Sequence, residues 1–200
     1  MSLLRYISHP DVDVDPDIPV TQWTLSVEGR RRAMAMLDQP WVLSIERIVS
    51  SAETKATVTA GLLADHLGLD VEVRPTTGEI DRSATGFVPM AEHERLADGF
   101  FDRPTVSAQG WERAVDAQAR IVGGLADLLD PTSEEVGDVA VVGHGAVGTL
   151  LLCHLADLEI GRHRDQPGQG HHWAYDLGRR HVMHGWIPVD GGGEREEPQA

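Results

Sequence analysis

Two apolar runs that end in histidine organise the chain. Leu3-Leu4-Arg5-Tyr6-Ile7 is apolar apart from its arginine and stops at Ser8-His9-Pro10. Proline has no N–H to give a strand ladder, so the strand closes there. Asp138-Val139-Ala140-Val141-Val142 has the same form and runs into Gly143-His144-Gly145. Near-continuous apolar runs of this length predict strands of a parallel sheet covered on both faces. Ligands of open α/β sheets collect beyond the carboxyl ends of the strands. As parallel neighbours, the two strands would face His9 and His144 across one crevice. Either histidine alone reads more simply as a strand cap; the pair carries the inference.

Between the runs the polarity pattern predicts alternating helices and strands. Asp11 to Pro19 is an acidic, proline-rich loop that either connects or forms a rim beside His9. Ser26 caps a helix continuing through Arg30 to Leu37. Glu46 to Ser51 reads as a strand, followed by a helix from Ala52 to Leu67 that Gly68 stops. Alternation from Leu69 to Val73 gives a third strand, and Thr76 to Gly86 a loop of mixed charge. Ser107 to Leu129 is expected to be mainly one long helix ended by Asp130-Pro131, with Trp111, Ile121 and Leu125 on or near its core face. The strand to His144 precedes a helix over about 146–158. His171 to Leu177 and Arg180 to Ile187 read as a hairpin. This order points to an α/β fold, a three-layer α/β/α sandwich on a mostly parallel sheet. Residues 1–189 are expected to form one domain and 190–200 a disordered tail.

Composition narrows the chemistry. The 200 residues carry 17 Lys and Arg against 32 Asp and Glu, a formal charge of −15. Nucleic acid and anionic membrane are therefore not expected partners, and a phosphate site would need a local basic pocket. The single cysteine, Cys153, lies in an apolar run and excludes both an internal disulfide and a cysteine-based zinc cluster. There is no signal-peptide pattern and no run long enough to span a bilayer, so the expectation is a cytoplasmic protein. Lys55 is the only lysine and falls in a first helical turn, where a cation opposes the helix dipole. A role beyond structure is favoured, though an inconsequential surface lysine remains the alternative.

In this order and spacing the motifs resemble those of the histidine phosphatase superfamily, the phosphoglycerate mutase-like fold. The resemblance covers roughly residues 3 to 187. Ser8-His9-Pro10 stands where the family has Arg-His-Gly, and Ser51 to Ala60 where it has Ser-x-x-x-Arg-Ala-x-x-Thr-Ala. Glu79, ahead of Gly86, resembles the family's loop acid, and His144-Gly145 its second histidine. The resemblance implies a metal-independent phosphatase acting on a small phosphorylated substrate, with no cofactor. His9 would become phosphorylated, Glu79 would protonate the leaving oxygen and then activate water, and His144 would stabilise the transferred group. Ser8 and Lys55 replace the two phosphate-gripping arginines; serine lacks charge, and lysine lacks the bidentate fork. Pro10 also removes a backbone N–H that could have met phosphate. Arg82 is a candidate replacement, its alternative being an ion pair with Asp81 or another acid.

Three other readings follow from the same residues. Mutase activity is less expected, because two phosphates would need more cations than the pocket offers. A non-catalytic phosphate-sensing or scaffold relative is favoured by Ser8 and Pro10 and opposed by the survival of His9, Glu79 and His144. A metal site from His171, His172, His181 and His184 is disfavoured, since adjacent strand residues point to opposite faces. These histidines are expected on the strand surface, with Trp173, Tyr175 and Trp186 packing the sheet edge. The segments 11–22 and 87–105 are expected as specificity loops. Phe100, Phe101 and Trp111 read as core, with an apolar subsite as the alternative.

Overall fold

Alternation at period two builds the sheet. The strands are β1 (Leu3–Ser8), β2 (Ile45–Ser50), β3 (Val71–Val73), β4 (Asp138–Gly143), β5 (His171–Asp176) and β6 (His181–Pro188). The computed structural model describes residues 2–130 and 137–191; most of the acidic connector and of the expected disordered tail lie outside them. The sheet order is β3-β2-β4-β1-β5-β6, with β3, β2, β4 and β1 parallel and β5 and β6 antiparallel additions. β1 and β4 are parallel neighbours, Ser8 lying opposite Gly143. The two histidines that follow these strands therefore leave the sheet side by side.

Each central strand feeds two cores. Ile7, Ile48, Ala140 and Val142 pack under helices α1 (Val27–Met36) and α2 (Thr54–Leu67). Leu4, Tyr6, Val49, Val139 and Val141 face the other side, under α4 (Ala114–Gly124), α5 (Ala126–Leu129) and α6 (Gly145–Leu155). This is the expected three-layer α/β/α arrangement. The expected caps also form: Ser26 Oγ accepts from the Gly29 N–H at 3.0 Å, and Gly68 closes α2 in the left-handed region at φ 68°.

Three expectations need correction. The long helix over 107–129 does not form; Gln109 and Gly110 both take positive φ, 51° and 87°, so the chain turns and α4 starts only at Ala114. The supposed loop 87–105 contains helix α3 (Met90–Asp102), which buries Leu96, Ala97, Phe100 and Phe101 along one face. With Trp111, Ala114 and Val147 these residues make a third core beyond the sheet end. Finally, β5 lies between β1 and β6, so His171 and His172 are buried and Trp173 stacks on Tyr6 at 5.3 Å inside the fold. Of the hairpin, only β6 is an edge strand; β3 forms the other edge of the sheet.

Candidate active site

β1 and β4 deliver His9 and His144 with ring centroids 5.3 Å apart and planes at 69°. The Tyr6 hydroxyl fixes this junction: it donates to the His144 carbonyl and accepts from the His144 N–H, both at 3.0 Å. His9 Nδ1 lies 2.8 Å from the Pro10 carbonyl, which can only accept, so Nδ1 carries the proton and Nε2 its lone pair. Burial, helped by Lys55, pushes the His9 pKa down to about 4. His9 is thus a neutral imidazole, and it lines a cleft of about 790 Å³.

His144 stands behind it, fully buried and not part of the cleft wall. Its Nε2 is 2.7 Å from Ser51 Oγ and 3.4 Å from Glu53 Oε1, while its Nδ1 has no partner among the described residues. Burial, and then the nearby His9, hold its pKa well below the usual imidazole value. Ser51 Oγ also accepts from the Glu53 N–H at 3.1 Å.

Glu79 reaches the cleft from the loop after β3. Its Oε1 accepts from the N–H of Ile80 at 3.0 Å and of Val147, in the first turn of α6, at 3.3 Å. Burial raises its pKa, partly offset by Arg82. Arg120 pins this loop, donating to the carbonyls of Thr76, Gly78 and Glu79 and pairing with Glu112 at 2.7 Å.

The cations are distributed unevenly. Lys55 is buried, its Nζ 2.5 Å from Glu53 Oε2 and 2.9 Å from the Val20 carbonyl. Its charge is largely neutralised in place, yet it lines the cleft. Arg82 also lines it, its guanidinium 5.6 Å from the Trp111 ring centre, with no ion pair to Asp81 among the described residues. Ser8 behaves differently. It is fully buried outside the cleft wall, and its Oγ donates to Gln166 Oε1 at 2.5 Å and accepts from the His171 N–H at 3.0 Å. Gln166 itself lines the cleft, with Nε2 against Gly145, where a Cβ would come within 2.2 Å of it.

The structure brings His9, Glu79, Lys55 and Arg82 to one cleft, with Ser8 and His144 directly behind it. Glu53, Gln166, Arg120 and Arg162 had not been singled out. Glu53 sits inside the stretch Ser51 to Ala60 and could have been noticed there. Gln166 gave no signal, because its partner is 158 positions away. Both expected specificity segments reach the cleft, through Asp11, Val14 and Val20 and through Phe87, Met90 and Glu94. Phe100, Phe101 and Trp111 serve the third core and line the cleft as well. Among the described residues no group of three or more His, Cys, Asp or Glu could hold a metal ion, and no helix is long and apolar enough to cross a membrane.

A family model described as the histidine phosphatase superfamily (branch 1) matches residues 15–174. A probable phosphoglycerate mutase of Cronobacter sakazakii is 27% identical over 135 residues, 68% of this chain. The match spans only about half of that relative, 53%. Among solved structures, a mycobacterial glucosyl-3-phosphoglycerate phosphatase with inorganic phosphate superposes with a TM-score of 0.78 at 21% identity, covering 95% of this chain and 99% of that one. Phosphoserine phosphatase of Entamoeba histolytica, in complex with 3-phosphoglyceric acid, gives 0.75 at 17% identity over 94% and 98%. At these identities the structural likenesses establish the fold.

Proposed function

The chain belongs to the histidine phosphatase superfamily, and from that premise we propose that it is a metal-independent phosphatase hydrolysing a phosphomonoester through phosphohistidine on His9. One observation carries the reading: His9 is a buried neutral imidazole whose Nδ1–H is held by the Pro10 carbonyl, leaving Nε2 as the nucleophile. The Nε2 lone pair attacks phosphorus and the ester P–O bond breaks. Glu79, whose carboxyl pKa burial pushes up, gives its proton to the leaving oxygen. Water then gives a proton back to Glu79 and attacks phosphorus, the P–N bond breaks, and His9 returns neutral. Phosphoryl transfer asks mostly for positioning and charge stabilisation. We assign that part to Arg82 and Lys55, which line the cleft, and to His144 directly behind His9. Ser8, which stands where the resemblance implies an arginine, contributes by holding Gln166, whose amide at the start of α6 offers uncharged N–H donors.

A second reading, a non-catalytic phosphate-sensing or scaffold relative, is favoured by one observation. Lys55 is engaged by Glu53 at 2.5 Å, so the one cation retained from the family motif is already paired. Hydrolysis of phenyl phosphate in the presence of chelator, by the native chain and by His9→Ala, separates the two. Turnover that disappears with His9, together with acid-labile phosphate trapped on the native chain, supports the enzyme. A native chain that neither turns over nor labels is the non-catalytic relative.

A further inference from the structure

We infer that the substrate is the phosphate ester of an apolar, ring-bearing alcohol with no second anionic group; this rests on the phosphatase reading. The cleft, about 790 Å³, far exceeds what a phosphoryl group and a three-carbon acid would fill and falls in the range of sites for drug-sized ligands. Beyond His9 its walls are Trp23, Ile80, Phe100 and Trp111, and its mouth is Val14, Phe87 and Met90. The mouth residues are open to water, Val14 at 51%, Phe87 at 41% and Met90 at 71% exposure. Trp23, the residue just after the first specificity segment, meets Phe87 of the second edge to face at 6.1 Å, which links the two sides of the opening. Apolar groups gathered at the mouth of a cleft, rather than scattered, mark a surface that a ligand covers.

Charge excludes the alternative body. Arg162 is engaged by Glu94 at 2.5 Å, Asp165 at 3.4 Å and Asp98 at 3.6 Å, and Lys55 by Glu53. Among the described residues Arg82 is the cleft guanidinium without a carboxylate partner, so a phosphate that takes it leaves no unpaired guanidinium for a second anion. Asp11, Glu94 and Asp165 line the same walls; Asp11 is paired with Arg32 at 2.9 Å, while Glu94, Asp165 and Asp98 outnumber the one guanidinium of Arg162 that they share, which leaves that wall net negative. A carboxylate on the substrate would lose its water and meet these groups, so phosphorylated hydroxy acids are rejected by repulsion as well as by poor fit.

The test compares kcat/KM for 1-naphthyl phosphate with that for 3-phosphoglycerate and phosphoserine. A preference of about 100-fold or more for the naphthyl ester is expected, and Met90→Ser and Phe87→Ser should each lower its kcat/KM by about tenfold. Equal or better hydrolysis of 3-phosphoglycerate overturns the inference. Calorimetric binding of the same esters to the His9→Asn chain, which cannot be phosphorylated, gives an independent readout. Selective binding of the naphthyl ester without turnover by the native chain would sink the phosphatase reading and leave the apolar subsite standing. Equal binding of naphthyl phosphate and 3-phosphoglycerate overturns the subsite whatever the turnover.

Discussion

The Ser8 hydroxyl donates to the amide oxygen of Gln166 at 2.5 Å, so the side chain just before His9 orients a second side chain of the cleft. That turns the Gln166 amide nitrogen toward Gly145 at the start of α6. A neutral amide near a helix N-terminus offers an anion donors without adding charge.

Gln166→Leu should raise KM about tenfold or more with a smaller effect on kcat, the loss expected for one hydrogen bond to a charged group. Ser8→Ala should shift KM the same way by less, because Gln166 remains present but is no longer held. Gly145→Ala, whose Cβ would come 2.2 Å from Gln166 Nε2, should reproduce the Gln166→Leu effect. Steady-state kinetics on one aryl phosphate checks all three; unchanged KM in Gln166→Leu removes Gln166 from the site.

Activity should follow two ionisations. His9 must be neutral and Glu79 protonated in the free enzyme. With His9 lowered to about 4, the acid limb of kcat/KM should fall near that value. The alkaline limb belongs to Glu79 and should lie above the ordinary carboxylate range. Glu79→Gln should abolish the alkaline limb along with most turnover. A profile whose acid limb sits at the ordinary imidazole value of about 6.5 contradicts the burial argument for His9.

Folding stability should fall on acidification. His9 titrates at about 4 and His172 at about 3 in the folded chain, both lowered first by burial, against about 6.5 when unfolded. Below about 6.5 the unfolded chain therefore binds protons that the folded chain does not. Stability is fully present above that value and is lost as pH falls towards 4, on the order of 3 kcal/mol for each histidine. Glu79 works in the opposite sense: raised in the folded chain, it contributes stability at low pH that is lost as pH rises through its folded value. His144, held low by burial, adds to the two histidines, and Asp165, raised by burial, adds to Glu79. Urea midpoints at pH 7 and pH 5 measure the effect, and His172→Asn should shrink the difference between them.

Arg120 tests whether the Glu79 loop must be pinned. Arg120→Ala releases the carbonyls of Thr76, Gly78 and Glu79 together. The expected result is a fall in kcat of about tenfold or more with KM little changed, and an alkaline limb that moves, because Glu79 gains water and loses a nearby cation. A variant with normal kcat and an unmoved limb would show that the loop holds itself.

The sequence by itself determined the sheet, because period-two alternation and apolar runs are local signals. The runs ending in His9 and His144 alternate between two cores, and a strand buried on both faces has few other solutions. The caps at Ser26 and Gly68 were legible for the same reason, since each depends on neighbours within four residues. Where one residue's backbone overruled a pattern, legibility failed: positive φ at Gln109 and Gly110 broke a helix that side-chain spacing had favoured. The interior position of β5 was equally hidden, because its pairing with β1, on the side away from β6, is decided by chain return and not by composition. The site divides in the same way. His9, Glu79 and His144 follow motifs that sit at strand ends and in the next loop, so their convergence could be anticipated. The linkages between Ser8 and Gln166, Glu53 and His144, and Arg120 and the Glu79 loop join residues far apart in sequence. Only the folded chain brings those partners within hydrogen-bonding or ion-pairing distance, and only there does burial set the protonation of His9 and Glu79.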